Sequence, residues 1–206
     1  MFISVSGHPD LGTLTLSAME TAVTQPPPSA PLILSRQDLT ALLQGEILVE
    51  GRSYQLCGGA AQARMYLPVV RSQVWTHLTN YSRWVQYFPD IVQSDLLERN
   101  IQRSPQGHRL YQVARRTFFL FSAQVEVYLR VFETIQQQIQ FRFEQGSFKD
   151  FAADLTLKAY GKGTVLTYTV RAIPNIPVPG VWVQQAIRQD LPNNMRQMRQ
   201  VICQTV

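Results

Sequence analysis

Apolar and polar residues alternate from Gln62 to Val69. Ala63, Met65, Leu67 and Val69 fall on one face, and Gln62, Arg64 and Tyr66 fall on the other. A period of two marks a half-buried strand. Pro68 and the polar pair Arg71-Ser72 end it. From Ser72 the spacing becomes helical, with Val74, Trp75 and Leu78 as an apolar stripe that closes near Asn80. Tyr81, Trp84, Tyr87 and Phe88 crowd the residues before Pro89-Asp90, where a second short helix is expected from Ser82 to Phe88. So many rings in so short a piece need a large apolar surface to cover them.

The remaining pattern is mostly of strands. Gly45 to Glu50 is a short one, followed by turn glycines at Gly51, Gly58 and Gly59. Downstream come Ile91 to Arg99, His108 to Arg115, Thr117 to Phe132, Thr134 to Glu144, Ala152 to Tyr160 and Gly163 to Ile173. In the longest of these, Phe119, Phe121, Val125, Val127 and Leu129 alternate with Gln124, Glu126, Tyr128 and Arg130. In the next, Ile135, Ile139, Phe141 and Phe143 are expected inside, with Gln136, Gln138, Gln140 and Arg142 outside. Gly161-Lys162-Gly163 supplies a hairpin turn. Strands joined this way read as an antiparallel meander with one solvated face. A helix closes the chain, from Val181 to Gln204. Its Val183, Ile187, Leu191, Met195, Met198 and Ile202 recur at steps of three and four. Pro192 removes a backbone donor and crowds the preceding turn, so a kink or break is expected between Gln189 and Pro192.

Residues 1–40 are different in kind. They are rich in Ser, Thr, Gly and Pro, and Gln25-Pro26-Pro27-Pro28-Ser29-Ala30-Pro31 reads as a polyproline-like spacer. The expected organisation is a flexible Pro-rich arm over residues 1–40 and one domain over residues 41–206. A hydrophobic content of 45% and a charged content of 16% are globular values. Of the 19 basic residues only Lys149, Lys158 and Lys162 are lysines, and the formal net charge is +5. Arginine favours planar anionic partners, but the basic residues form no run longer than Arg115-Arg116. Cys57 and Cys203 lie at opposite ends, and His8, His77 and His108 are widely spaced, so neither a zinc site nor a nucleophilic cysteine site has support. No cofactor is expected. Without a leader pattern, or an apolar run near the roughly 18 residues of a membrane span, a cytoplasmic location with at most peripheral membrane attachment is expected.

The Pro68 to Pro89 stretch resembles the opening of the START-like helix-grip (SRPBCC) superfamily, and most closely its polyketide cyclase/dehydrase and coenzyme Q-binding branch. The residues that carry the resemblance are Pro68, Val69, Val74, Trp75, Leu78, Thr79, Asn80, Tyr81, Trp84, Tyr87, Phe88 and Pro89. A second match is Gly146-Ser147-Phe148-Lys149-Asp150-Phe151 with Leu155-Thr156-Leu157, where Ser147 replaces the usual Pro and Leu155 the usual Trp. The resemblance covers roughly Gly45 to Cys203. It implies an α+β helix-grip fold: a curved antiparallel sheet wrapped around a long C-terminal helix, with two short helices after the first core strand.

On that fold an apolar cavity between sheet and helix is expected. Its candidate lining residues are Met65, Phe119, Phe121, Phe141, Phe143, Met195 and Met198, joined by Trp84, Tyr87, Phe88, Phe148 and Tyr168. Such a pocket suits a mostly hydrocarbon ligand, and the resemblance points to a lipid or isoprenoid quinone-like molecule held by a carrier or chaperone. One alternative is an aromatase/cyclase-type enzyme with Tyr87, Tyr111, Tyr168 and Arg171 as its interior polar groups. Another is an interaction protein that docks on an anionic assembly such as the ribosome, or on a membrane surface. Specific DNA binding is not expected. Glu126, Glu144 and Asp154 fall on outward strand positions, Asp90 suits a turn, and His77 is expected on the exposed side of its helix. Neither a nucleophile elbow, a phosphate-cradling loop nor a metal triad is present, so no catalytic residue is assigned.

Overall fold

Eight strands pair into one antiparallel sheet in the order β1-β2-β8-β7-β6-β5-β4-β3. The computed structural model describes residues 34–55, 58–98, 107–118, 121–175 and 179–204. The chain starts with helix α1 (Arg36–Leu43), then β1 (Ile47–Tyr54), β2 (Gly58–Leu67) and helix α2 (Arg71–Leu78). A 3-10 turn (Tyr81–Arg83) leads into α3 (Trp84–Tyr87). The strands β3 (Ile91–Glu98), β4 (His108–Phe118), β5 (Phe121–Thr134), β6 (Gln138–Gly146), β7 (Phe148–Tyr160) and β8 (Gly163–Pro174) follow, and α4 (Gly180–Gln204) closes the chain. This is the helix-grip α+β arrangement that the family resemblance implies.

Helix α4 lies along one side of the sheet, packed on β1, β2 and the last turn of the α2–α3 segment. Its seat is made by small residues. A methyl group on Gly59 would stand 2.7 Å from the Gln184 backbone, and one on Gly51 would stand 2.3 Å from the Arg188 side chain. The helix axis can therefore approach the sheet as closely as backbone and alkyl chain allow. The far end is tied by Arg199, whose guanidinium donates to the Gly45 carbonyl at 2.7 Å. Strands β8 to β3 continue the sheet beyond this seat, and of them β8 is the one packed on the helix. Along α4 the stripe of Leu191, Met195, Met198 and Ile202 enters the core.

Several elements depart from the sequence pattern, each for a physical reason. Residues 36–40, assigned to the arm, belong to α1; its only sequence signal is a capping box, Ser35 Oγ accepting from the Asp38 amide and Asp38 from the Ser35 amide. The stretch Thr117 to Phe132 is not one strand, since Thr117 and Phe118 end β4 and pair back on Ser122 and Phe121 of β5. Ile135 is 69% exposed rather than interior, because the turn between β5 and β6 passes through it and Gln136 takes a positive φ of 56°. Pro192 sits inside an unbroken α4; the carbonyl it leaves without an amide partner belongs to Arg188, which is exposed to water. The Pro-rich arm up to residue 33, Cys57 and Phe119 lie outside the described residues, as does the side chain of Phe121.

The seat of α4 gives a direct test. Gly59→Ala forces a methyl against the Gln184 backbone, and overpacking of this kind costs about 1–3 kcal/mol. Chemical denaturation should show a loss in that range, with Gly161→Ala, at a turn glycine with open space around it, as the strain-only comparison.

Candidate ligand site

The interior is not filled evenly. Along β8 the inward residues go from Leu166 at 0% exposure to Tyr168 at 6% and Val170 at 9%. Along β5 the same change runs from Val131 at 0% to Val127 at 8%. On β6, Ile139 and Phe141 are sealed while Phe143 is half-buried, and on α4 the step falls between sealed Met195 and Met198 and half-buried Ile187 and Val183. Antiparallel register gives these changes one direction but not one level: Val170 pairs with sealed Ala61 and Ala153, and Ala153 with sealed Phe141, so β6 and β5 loosen further along than β8. One end of the interior, under α2 and the C-terminal half of α4, is therefore packed solid. The other, beside the N-terminal half of α4, is looser.

The solid end is built by the aromatic segment. Trp84 stacks on Phe88 with centroids 5.3 Å apart and meets Phe141 at 4.8 Å. Its indole N–H donates to the Leu78 carbonyl at 3.0 Å, so a ring face and the polar edge are engaged and the residue is 3% exposed. Tyr81 meets Phe141 edge-on at 6.2 Å, and Tyr87, fully buried, donates to the His77 carbonyl at 3.1 Å. Of the candidate lining residues, Met65, Trp84, Tyr87, Phe141, Met195 and Met198 belong to this end. Phe88, Phe143, Phe148 and Tyr168 stand at or beyond the step; Phe148 packs against Phe151 with centroids 5.3 Å apart.

A polar cluster that the sequence did not reveal sits at the solid end. The Tyr81 hydroxyl donates to Glu133, His108 Nε2 lies 3.4 Å from the same Glu133 oxygen, and Ser94 Oγ donates to the Tyr81 carbonyl at 2.8 Å. The Gln112 amide in turn donates to Ser94 Oγ at 3.1 Å. These residues come from the 3-10 turn and from β3, β4 and β5, and only the folded sheet unites them. The cluster ties the aromatic segment to the sheet at both ends of Tyr81. Apart from the buried Nδ1 of His108, which has no hydrogen-bond partner, its groups are engaged with one another, which suits a fastener better than a reactive centre.

The polyketide cyclase / dehydrase and lipid transport family matches residues 67–199. The chain belongs to that family. Its fold is shared by solved structures of low sequence identity. A START superfamily protein from Mycobacterium smegmatis is 16% identical with a TM-score of 0.61, covering 71% of this chain and 99% of that one. A STAR-related lipid transfer protein from Xanthomonas axonopodis is 15% identical with a TM-score of 0.60, covering 76% and 93%. The Zhui aromatase/cyclase from Streptomyces sp. R1128 is 9% identical with a TM-score of 0.52, covering 72% and 93%. No curated protein matches the sequence.

Within this cyclase/dehydrase and lipid transport fold, two of the four interior polar candidates are displaced. Tyr111 is on the outer face, donating to Glu126 at 3.1 Å, and Arg171 is on the outer face beside Asp150 at 3.4 Å. The alternation of β4 and β8 puts both opposite to the core residues Leu110 and Val170. Other outer-face arginines are likewise paired: Arg64 with Glu50, Arg109 and Arg130 with Glu144, and Arg142 with Asp154. Arginines neutralised in this way make a poor surface for an anionic assembly. Among the described residues no group of His, Cys, Asp and Glu could hold a metal ion, and no helix is long and apolar enough to cross a membrane. A separate cleft of about 470 Å³ runs along Val181, Gln184, Gln185, Arg188 and Gln189 of α4, away from the Val183–Ile187–Leu191 core stripe.

His77 is half-buried rather than exposed, with Nδ1 3.1 Å from an Arg83 guanidinium nitrogen. Burial first, and the Arg83 charge second, hold its pKa below the ordinary value of 6.5. The unfolded chain therefore binds this proton more readily than the folded one. Its contribution to stability is fully present above pH 6.5 and is lost as pH falls through the lowered folded value. NMR titration of the His77 ring should give a midpoint below 6.5, and His77→Asn should flatten the stability profile in that window. Trp84→Ala should cost about 3–5 kcal/mol in chemical denaturation, since the ring is buried. Tyr81→Phe should cost about 1.5–3 kcal/mol, the range for a hydrogen bond to a charged partner.

Proposed function

We propose that this protein binds a hydrophobic small molecule, lipid or isoprenoid quinone-like, between the sheet and the N-terminal half of α4, as a carrier rather than a catalyst. The observation that carries this reading is the change in packing that runs in one direction along β5, β6, β8 and α4. Sealed residues give way to slightly more open ones on β5 and β8, and in the same direction to half-buried apolar ones on β6 and α4, Phe143, Val183 and Ile187 among them. An apolar space with few polar groups suits a ligand of the same character. The likeness to a START superfamily protein and to a STAR-related lipid transfer protein supports it. Coenzyme Q-type binding belongs to the same reading as its narrower form.

The aromatase/cyclase likeness supports a second reading, but the polar equipment for it is thin. With Tyr111 and Arg171 outside and the Tyr87 hydroxyl bound to a backbone carbonyl, Tyr168 is left of the four candidates. Acid-base catalysis asks for more than one convergent group.

A paired substitution tests the site. Val170→Phe adds bulk at the loose end. If space exists there, it should cost under about 1 kcal/mol, against about 1–3 kcal/mol for overpacking a filled core, and binding of the neutral fluorescent probe N-phenyl-1-naphthylamine should weaken markedly. Leu166→Ala at the solid end should cost about 2–5 kcal/mol and leave probe affinity of the folded protein unchanged. The reading fails if neither variant alters probe binding, or if organic extraction of protein purified from cells repeatedly yields no hydrophobic compound and no probe binds.

A further inference from the structure

Among the described residues, most of the polar side chains that enter the interior have a hydrogen-bond partner in the protein. Gln112 reaches Ser94, Ser94 the Tyr81 carbonyl, Thr164 the Val69 carbonyl at 2.8 Å, and Tyr87 the His77 carbonyl. Tyr168 is 6% exposed and belongs to the interior cluster, yet no described residue hydrogen-bonds to its hydroxyl. The hydroxyl is not one of the sealed, unpartnered polar atoms, which among the described residues are His108 Nδ1 and Arg130 Nη1, so it opens on accessible space where an incoming polar atom can take up its hydrogen bond. Its setting is apolar. Phe88 meets the ring edge-on at 5.9 Å, Ala63 and Leu155 stand opposite on the neighbouring strands, and Leu166 and Val170 flank it on the same face. It stands at the step between the solid and the loose end.

We propose that the Tyr168 hydroxyl is the polar anchor of the ligand site, donating a hydrogen bond to a carbonyl, ether or hydroxyl oxygen of a neutral, ring-bearing molecule. The proposal rests on reading the interior as a ligand site and names the class of ligand. Burial, with the Asp154 charge adding to it, pushes the hydroxyl's pKa far up, so the group is a neutral donor at any physiological pH. An anionic headgroup placed here would face Ala63, Leu155, Leu166 and Val170, none of which offers a counter-charge, and an unpaired buried charge is strongly disfavoured. The Phe88 ring, stacked in turn on Trp84, offers a flat flank to a ring system. Fatty-acid carboxylates and phosphate headgroups are thereby disfavoured at this point.

Three matched probes test it: 2-acetylnaphthalene, 2-ethylnaphthalene and 2-naphthoate, titrated by calorimetry into the full chain and into Tyr168→Phe. The ratio of acetyl to ethyl affinity should fall about fivefold in Tyr168→Phe, the usual worth of one hydrogen bond, and 2-naphthoate should bind wild type at least about tenfold more weakly than 2-acetylnaphthalene. Without ligand, Tyr168→Phe should melt no lower than wild type, because it removes a hydroxyl that no described protein group engages. An unchanged acetyl-to-ethyl ratio, or a clear loss of ligand-free stability, overturns the anchor while leaving the ligand site standing. Failure of all three probes to bind either protein overturns both.

Discussion

The close approach of α4 to β1 and β2 governs the rest of the molecule. Gly51 and Gly59 let the helix rest almost on the strand backbone, which fixes it to one side of the sheet rather than over its centre. A single helix so placed cannot cover the apolar faces of eight strands. The remaining strands must curl toward it, and whatever space the curl leaves has to be filled by something else. At one end it is filled by the aromatic segment. Trp84, Phe88 and Phe141 pack ring on ring, and Tyr81 is fastened at its hydroxyl and its carbonyl to the sheet. At the other end no comparable segment intervenes among the described residues, and half-buried Phe143, Val183 and Ile187 take its place.

This division gives the protein two parts with different tasks. The solid end supplies stability, through contacts that bury Trp84 and seal Met65, Met195 and Met198. The loose end carries less of that burden, and on the proposed reading it exchanges its contacts for those of a ligand. Local stability is expected to differ in the same sense, since sparse packing lowers the cost of opening. The outer face plays a third part: its arginines and carboxylates pair across strands, holding register with little charge left for recognition.

Much of the fold is legible in the residues. The period-two runs of β5 and β6 and the three-four spacing of α4 give the elements and their buried faces. The Tyr81 to Phe88 ring series announces a segment that must be covered. What escapes is set by contacts distant in sequence. Helix α1 is too short for a periodic signal. Ile135 reads as interior until the turn that carries it is known. Tyr111 and Arg171 look like interior polar groups until register assigns them to the outer face. Tyr81, His108 and Glu133 are separated by more than two dozen residues at every step and meet only through sheet curvature. Apolar character marks the candidate lining residues in the sequence, and it cannot separate rings that fill the core from rings beside a space. That distinction depends on where α4 sits, and two glycines in an unremarkable turn-like stretch decide it.

Xenon binding in crystals tests the central claim most directly, because the atom occupies apolar space without needing a chemical handle. The division predicts xenon between the sheet and the N-terminal half of α4, in contact with Val127, Val170 or Ile187 and absent from the region around Met65, Leu166 and Met198. A crystal with no interior xenon, or with xenon only among those sealed residues, would contradict it.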